Sequence, residues 1–273
     1  MIDIIQEMLS YPFMLRALVT GLCISAAASC IGVCLVLKHY SMIGDGLSHV
    51  GFASLALAVV LNQSPLYVSL PIVVLCACAL LQLPKKAKLQ SDAAIALIST
   101  AALSGGVMML SLTTGMNTDV CNYLFGSILG MKVYDTYITV VLCLLILALF
   151  IAFYQKIFAI TFDETFARAC GMNVGRYNFI LALMCAVIIV LGMKMMGALL
   201  ISNLIVLPAI TAMRVCRQFK TVVLYSVLIS IICFFSGLLL SYVFSTPTGA
   251  SVVLVNVALF IIHVIIERLY WSR

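Results

Sequence analysis

Long apolar runs alternate with short polar breaks along the whole chain. Runs of about 18 residues, enough to cross a bilayer as a helix, recur over 12–37, 42–61, 66–83, 92–113, 135–154, 177–193, 196–213, 221–243 and 250–267. The two-residue alternation of a membrane β-barrel is absent. In lipid each backbone N–H and C=O must be paired within its own segment, so these runs predict helices. The pattern is that of an all-α, polytopic membrane protein with about eight or nine transmembrane helices. Polar linkers are under ten residues long, so one transmembrane domain is expected over 1–273.

Two connections depart from the pattern. TTGMNTDVCNYLFGSILGMKVYD, 113–135, has an apolar middle too short to span, which suits a re-entrant or interfacial helix. ITFDETFARACGMNVGRY, 160–177, predicts a short amphipathic helix with Phe162, Phe166 and Ala169 in one stripe. Asp163, Glu164 and Arg168 fall on its other faces, and Gly171 is placed to end it.

Composition agrees with the pattern. Of 273 residues, 65% are hydrophobic and 9% charged, against about 25% charged in a soluble domain. The net charge of +6 is not a nucleic-acid signature, because the basic residues gather in short connections. PKKAK at 84–88, the segment around Arg168 and Arg176, RVCRQFK at 214–220 and the C-terminal Arg268 and Arg273 all fall on one side of a nine-span count. The positive-inside rule makes that side cytoplasmic and puts the N-terminal segment, with Asp3 and Glu7, outside. The first ten residues lack the basic start and cleavage site of a signal peptide. Most of the eleven cysteines lie within apolar spans and read as small buried hydrophobes. Cys23, Cys30 and Cys34 share a helical stripe that would also suit a soft metal.

Candidate chemistry centres on SMIGDGLSHVGFAS, 41–54, which sets Asp45 and His49 four residues apart in an otherwise apolar or small run. On a helix that spacing lets a carboxylate oxygen and an imidazole nitrogen meet one cation. Oxygen and nitrogen donors suit Mn²⁺, Fe²⁺ or Zn²⁺ better than Cu(I). The same spacing also fits an aspartate that only holds the imidazole or caps the helix. Gly44, Gly46 and Ser48 beside the pair allow neighbouring helices to approach closely. In the seventh run Ser202, Asn203 and Pro208 read either as a translocation-path element or as a kink, the proline interrupting the helix. His263 and Glu267 repeat the acid–histidine spacing in reverse and suggest a structural pair; Lys194, between two runs, reads as a lysine reaching for the interface. Asn117 and Asp119 read as a solvated turn, with cation guidance as the alternative. No P-loop, HExxH or GxSxG is present, so the chain has no visible means of holding ATP and no nucleophile–base constellation.

Six segments in order carry a resemblance: GDGLSHVGFASLALA, SDAAIALISTAALSGGVMM, YLFGSIL, ITFDETFARACGMNV, MGALLISNLIVLPAITA and GLLLSYVFSTPTGASVVLV. Over about residues 10 to 270 the chain resembles the membrane subunit of ABC importers for manganese, zinc and iron, the permeases served by cluster-type metal-binding lipoproteins. The resemblance implies a type II ABC importer-like permease in the bacterial plasma membrane. It implies a homodimer, two cytoplasmic ABC ATPase subunits and an extracellular metal-binding lipoprotein as partners, with no nucleic acid. The divalent cation is then transported substrate and not a permanently bound cofactor, and ATP hydrolysis belongs to the partner. Asp45 and His49 would contact the cation on its path; Ser48, Asn203 and Pro208 are candidate further path positions from the reading of the residues alone. Residues 160–172, with Phe162, Asp163, Glu164, Phe166, Ala167 and Gly171, would be the coupling helix that docks on the ATPase. The family's proline–glycine pair after the histidine is represented here by Gly51 alone. The main rival is a proton-coupled secondary metal transporter with Asp45 and His49 as relay. A second rival, an intramembrane enzyme, lacks the required residues.

Overall fold

The computed structural model describes residues 6–8, 10–86, 91–113 and 133–271, and no strand occurs among them. Among the described residues nine long helices match the nine apolar runs to within a few residues. They are α1 (Pro12–Leu37), α2 (Ile43–Val60), α3 (Pro65–Lys86), α4 (Ser91–Thr113) and α5 (Val133–Ala152), then α8 (Val174–Met196), α9 (Ala198–Val215), α10 (Phe219–Phe244) and α11 (Thr248–Trp271). Two short helices, α6 (Tyr154–Phe162) and α7 (Glu164–Ala169), lie between α5 and α8. Among the described residues eight helices are long and apolar enough to cross a membrane, and α3 carries the shorter apolar stretch Leu66–Leu80. The YLFGSIL segment, Asn117 and Asp119 fall outside the described residues.

The core is built round α1, α2, α8 and α9. α1 packs against α5, α8, α9 and α10, and α2 against α3, α4, α8 and α9. Glycines set the close approaches. A Cβ on Gly32 of α1 would run into the carbonyl oxygen of Ile205 on α9, so these two backbones touch. Gly44 of α2 meets the side chain of the same Ile205, Gly46 meets Ile95 of α4, and Gly51 meets Met193 of α8. The small residues around Asp45 therefore serve the close packing that their size predicts.

Two sequence expectations are corrected. Pro208 does not break α9, which runs from Ala198 to Val215. One missing donor is tolerated inside a packed transmembrane helix, and Pro208 is buried. Lys194, in the last turn of α8, finds a partner at a helix end, its Nζ lying 2.8 Å from Asp135 Oδ1 in the first turn of α5. His263 and Glu267 each find a partner on another helix. His263 Nε2 lies 2.9 Å from the Tyr225 hydroxyl, and Glu267 Oε2 accepts from Arg214 at 2.7 Å. An i, i+4 pair was available to both, but cross-helix partners also tie α11 to α10 and α9.

Candidate metal path and coupling segment

From Ile43 to Ala58, α2 buries every side of itself except one stripe. Asp45, His49, Ala53 and Leu57, four residues apart, stay partly open while Gly44, Gly46, Leu47, Ser48 and Val50 between them are buried. The acid–histidine pair occupies this stripe. The depth of the pair follows from contacts with helices whose ends are fixed. Lys38, just beyond α1, bonds to Glu164 and Asn178 and so lies at the level of α7. Gly32 is six residues back, about 9 Å along the axis, and Gly44 touches the same Ile205 as Gly32. Met193, which meets Gly51, lies fifteen residues beyond Asn178, about 22 Å. His49 thus lies about 17–20 Å from the α7 level, against a hydrocarbon thickness of about 30 Å. α2 begins inside the bundle and not at its face, which a hydropathy pattern does not reveal.

Within the pair, His49 Nε2 and Asp45 Oδ1 are 3.6 Å apart, with 20% of the histidine side chain and 48% of the aspartate side chain exposed. That separation is too long for a strong hydrogen bond, so the carboxylate is not spent on the imidazole. Nor does Asp45 cap the helix. The cap position is Met42, without a side-chain bond, and Asp45 sits in the first turn, where a negative charge is favoured by the helix dipole. The Nδ1 of His49 is buried without a hydrogen-bond partner. Ser48 is turned inward, its hydroxyl donating to the Asp45 carbonyl oxygen at 2.7 Å. Among the described residues no group of three or more His, Cys, Asp or Glu side chains converges as a metal cage. Asp45 and His49 are thus two donors on one open stripe, without a third beside them among the described residues. The cysteine stripe gathers no such group either; Cys30 and Cys34 are buried in the core.

Asn203 is not brought to this stripe. It lies two residues from Ile205, about 200° round α9, on the half-open face with Ser202 and Val206. Its Oδ1 is buried without a partner.

The candidate coupling segment, 160–172, holds the end of one helix and the whole of a second. The backbone is extended at Asp163 (φ −149°, ψ 101°), where α6 stops and α7 starts. Asp163 Oδ1 accepts from the amides of Thr165 and Phe166 at 2.8 and 2.9 Å and from the Thr165 hydroxyl at 2.5 Å, an N-cap. The Thr165 hydroxyl and the Phe166 amide hold its carboxyl below the usual carboxylate range. The expectation that Asp163 lies on a helix face gives way to this cap, because an aspartate satisfies orphan amides better than it continues a helix. Gly171 ends α7 as predicted, with φ +78°. The Gly171 amide donates to Arg168 and the Met172 amide to Ala167, both at 3.0 Å, a Schellman closure.

The faces of α7 divide cleanly. Phe166, and Phe162 at the end of α6, are 64% and 59% exposed, while Ala167 is buried with Ile160 and Val174. Glu164 turns inward. Its Oε1 lies 3.1 Å from Lys38 Nζ and accepts from Asn178 Nδ2 at 3.0 Å; Lys38 also donates to Asn178 Oδ1 at 2.6 Å. This cluster, which sequence reasoning missed, ties the α1–α2 connection to α7 and α8. Lys38 at the end of an apolar run was its only local signal.

A bundle of long apolar helices with an acid–histidine pair on one open stripe and a short capped segment between two of its helices has the build of a multi-pass membrane permease. The chain belongs to the ABC 3 transport family, whose family model matches residues 10–267. It is 30% identical over 252 residues to the high-affinity zinc uptake system membrane protein ZnuB of Haemophilus influenzae, covering 92% of this chain and 97% of that protein. It is 26% identical to the manganese import system permease protein ScaB of Streptococcus gordonii, covering 95% and 93%. Its fold is similar to that in the structure of PsaBC from Streptococcus pneumoniae in complex with Fab, with a TM-score of 0.86, 27% identity, and coverage of 96% of this chain and 95% of that one.

Proposed function

We propose that the chain is the permease subunit of an ATP-driven importer of divalent transition-metal cations, Mn²⁺, Zn²⁺ or Fe²⁺, in the bacterial plasma membrane. The observation that carries this reading is the Asp45–His49 pair, half-open on the one free stripe of α2. Relatives named for zinc uptake and manganese import support the same substrate class.

In this reading two copies pair, and each contributes Asp45 and His49 to one path. Asp45 neutralises charge and His49 offers the Nε2 lone pair. A metal-ligating histidine usually has its other ring nitrogen held by a partner. His49 Nδ1 has none, which suits a site that must release its ion. An extracellular metal-binding lipoprotein delivers the cation, and two cytoplasmic ABC ATPases supply the energy. The ATPase receives the exposed Phe162 and Phe166, and Asp163 and Gly171 fix the ends of α7 for that docking. Glu164 and Ala167 act from the inner face, joining α7 to the bundle. Ser48 orients the first turn of α2, and Asn203 and Pro208 belong to the flanking wall. The chain itself does no covalent chemistry.

The test is uptake of Mn, Fe and Zn into proteoliposomes holding the permease with its ATPase. ATP-dependent uptake that persists with an uncoupler supports the reading. Uptake that needs no ATPase and collapses with the uncoupler would establish the proton-coupled alternative.

A further inference from the structure

Where α1, α5 and α10 meet, on a flank that α2, α3 and α4 do not line, an open groove of about 440 Å³ runs into the bundle. It follows α10 from Lys220 to Val227 and reaches Cys30 of α1. Seven residues of helix make it about 10 Å long. Apart from Lys220 and the Tyr154 hydroxyl its lining is apolar, and no carboxylate borders it. Its rims face outward, with Ile151 73% and Leu224 61% exposed. Lys220 is exposed in the first turn of α10, at the end carrying RVCRQFK, which the positive-inside rule makes cytoplasmic. Tyr154 packs on Phe219 beside it, with ring centroids 5.4 Å apart, an aromatic at the depth where interfacial belts lie.

An apolar slot about 10 Å long with one cation and no anion among its lining residues selects by charge as well as by shape. We infer that this groove holds one anionic phospholipid of the cytoplasmic leaflet. An acyl chain lies along α10 toward Val227, and the phosphate meets the Lys220 ammonium. Anionic lipids are concentrated in that leaflet, and basic pockets between helices on that side take their head groups.

The experiment uses the purified full chain, stripped of lipid and offered equimolar phosphatidylglycerol and phosphatidylcholine, with retained lipid counted by native mass spectrometry. The wild type retains one phosphatidylglycerol with about fivefold preference, the contribution of one lysine near an anionic head group. Lys220→Glu loses that preference, and Leu224→Trp, which fills the groove, loses both lipids. Equal retention of the two lipids by the wild type overturns the inference, as does an unchanged preference in Lys220→Glu. Displacement by soluble glycerol phosphate as readily as by the lipid would make it a phosphate site without a chain. If Leu224→Trp leaves lipid retention alone but separates two copies of the chain, the groove is a subunit interface and the lipid reading fails. The readout is lipid and not metal, so the result is independent of the transport reading.

Discussion

The Lys38–Glu164–Asn178 cluster makes an asymmetric prediction. Lys38 is only 5% exposed at its side chain, and Glu164 is 26% exposed. Removing one partner of a buried ion pair costs about 3–5 kcal/mol, because a charge is left without compensation. In Glu164→Gln the stranded charge is the buried ammonium, which keeps Asn178 Oδ1 at 2.6 Å and a neutral amide oxygen. Those acceptors and the partial access of water bring the expected loss to about 2–3 kcal/mol. In Lys38→Met the remaining carboxylate keeps the Asn178 amide at 3.0 Å and a quarter of its surface in water, so the loss is about 1 kcal/mol. The double variant has no ammonium to strand and should lose no more than Lys38→Met, a coupling of about 2 kcal/mol. The assay is the midpoint of thermal loss of helical circular dichroism in one fixed detergent. At about 2–4 °C per kcal/mol, Glu164→Gln falls by about 4–12 °C, and the other two by about 2–4 °C. If the two single losses simply add in the double variant, or if Lys38→Met is the worse single variant, the reasoning about which charge is trapped is wrong.

Other outcomes follow from single contacts. Gly32→Ala drives a methyl into the Ile205 carbonyl and should cost about 1–3 kcal/mol, whereas Gly105→Ala, with nothing within 4 Å of its Cβ, should leave the melting midpoint unchanged or raise it; equal losses would refute the close approach of α1 and α9. Asp163 has a lowered carboxyl pKa, so its cap contributes in full above the unfolded value of about 3.9 and is lost as pH falls through the lower folded value. Hydrogen exchange at Thr165 and Phe166 should therefore accelerate in acid beyond its intrinsic pH dependence, and Asp163→Asn, which caps without titrating, should abolish that excess. Tyr225→Phe removes the partner of His263 Nε2 and should cost about 1 kcal/mol in the same melting assay while leaving metal uptake intact; a loss of uptake would place His263 on the path.

Much of this architecture is written locally. Nine apolar runs became nine helices because in lipid length and hydropathy leave no other choice. Gly171 was legible because few other residues accept its φ of +78°. The spacing of Asp45 and His49 put both on one side of α2, but their depth was hidden, since it depends on where Gly44 and Gly51 meet α9 and α8. The inner face of α7 was hidden for a similar reason. Glu164 and Lys38 are 126 positions apart, and no periodicity links them. Asp135 and Lys194, 59 apart, were likewise separated by packing register. Asp163 was misplaced because apolar spacing alone extends a helix through a residue whose side chain starts a new one.

Transport by the proposed path requires Asp45 and His49 to meet the cation. The most direct measurement is total Mn, Fe and Zn by mass spectrometry in cells carrying the permease with its ATPase, wild type against His49→Ala. One metal falling to background in the variant, with the complex still assembled, is the predicted result and names the substrate. All three metals unchanged would make His49 structural and contradict the site.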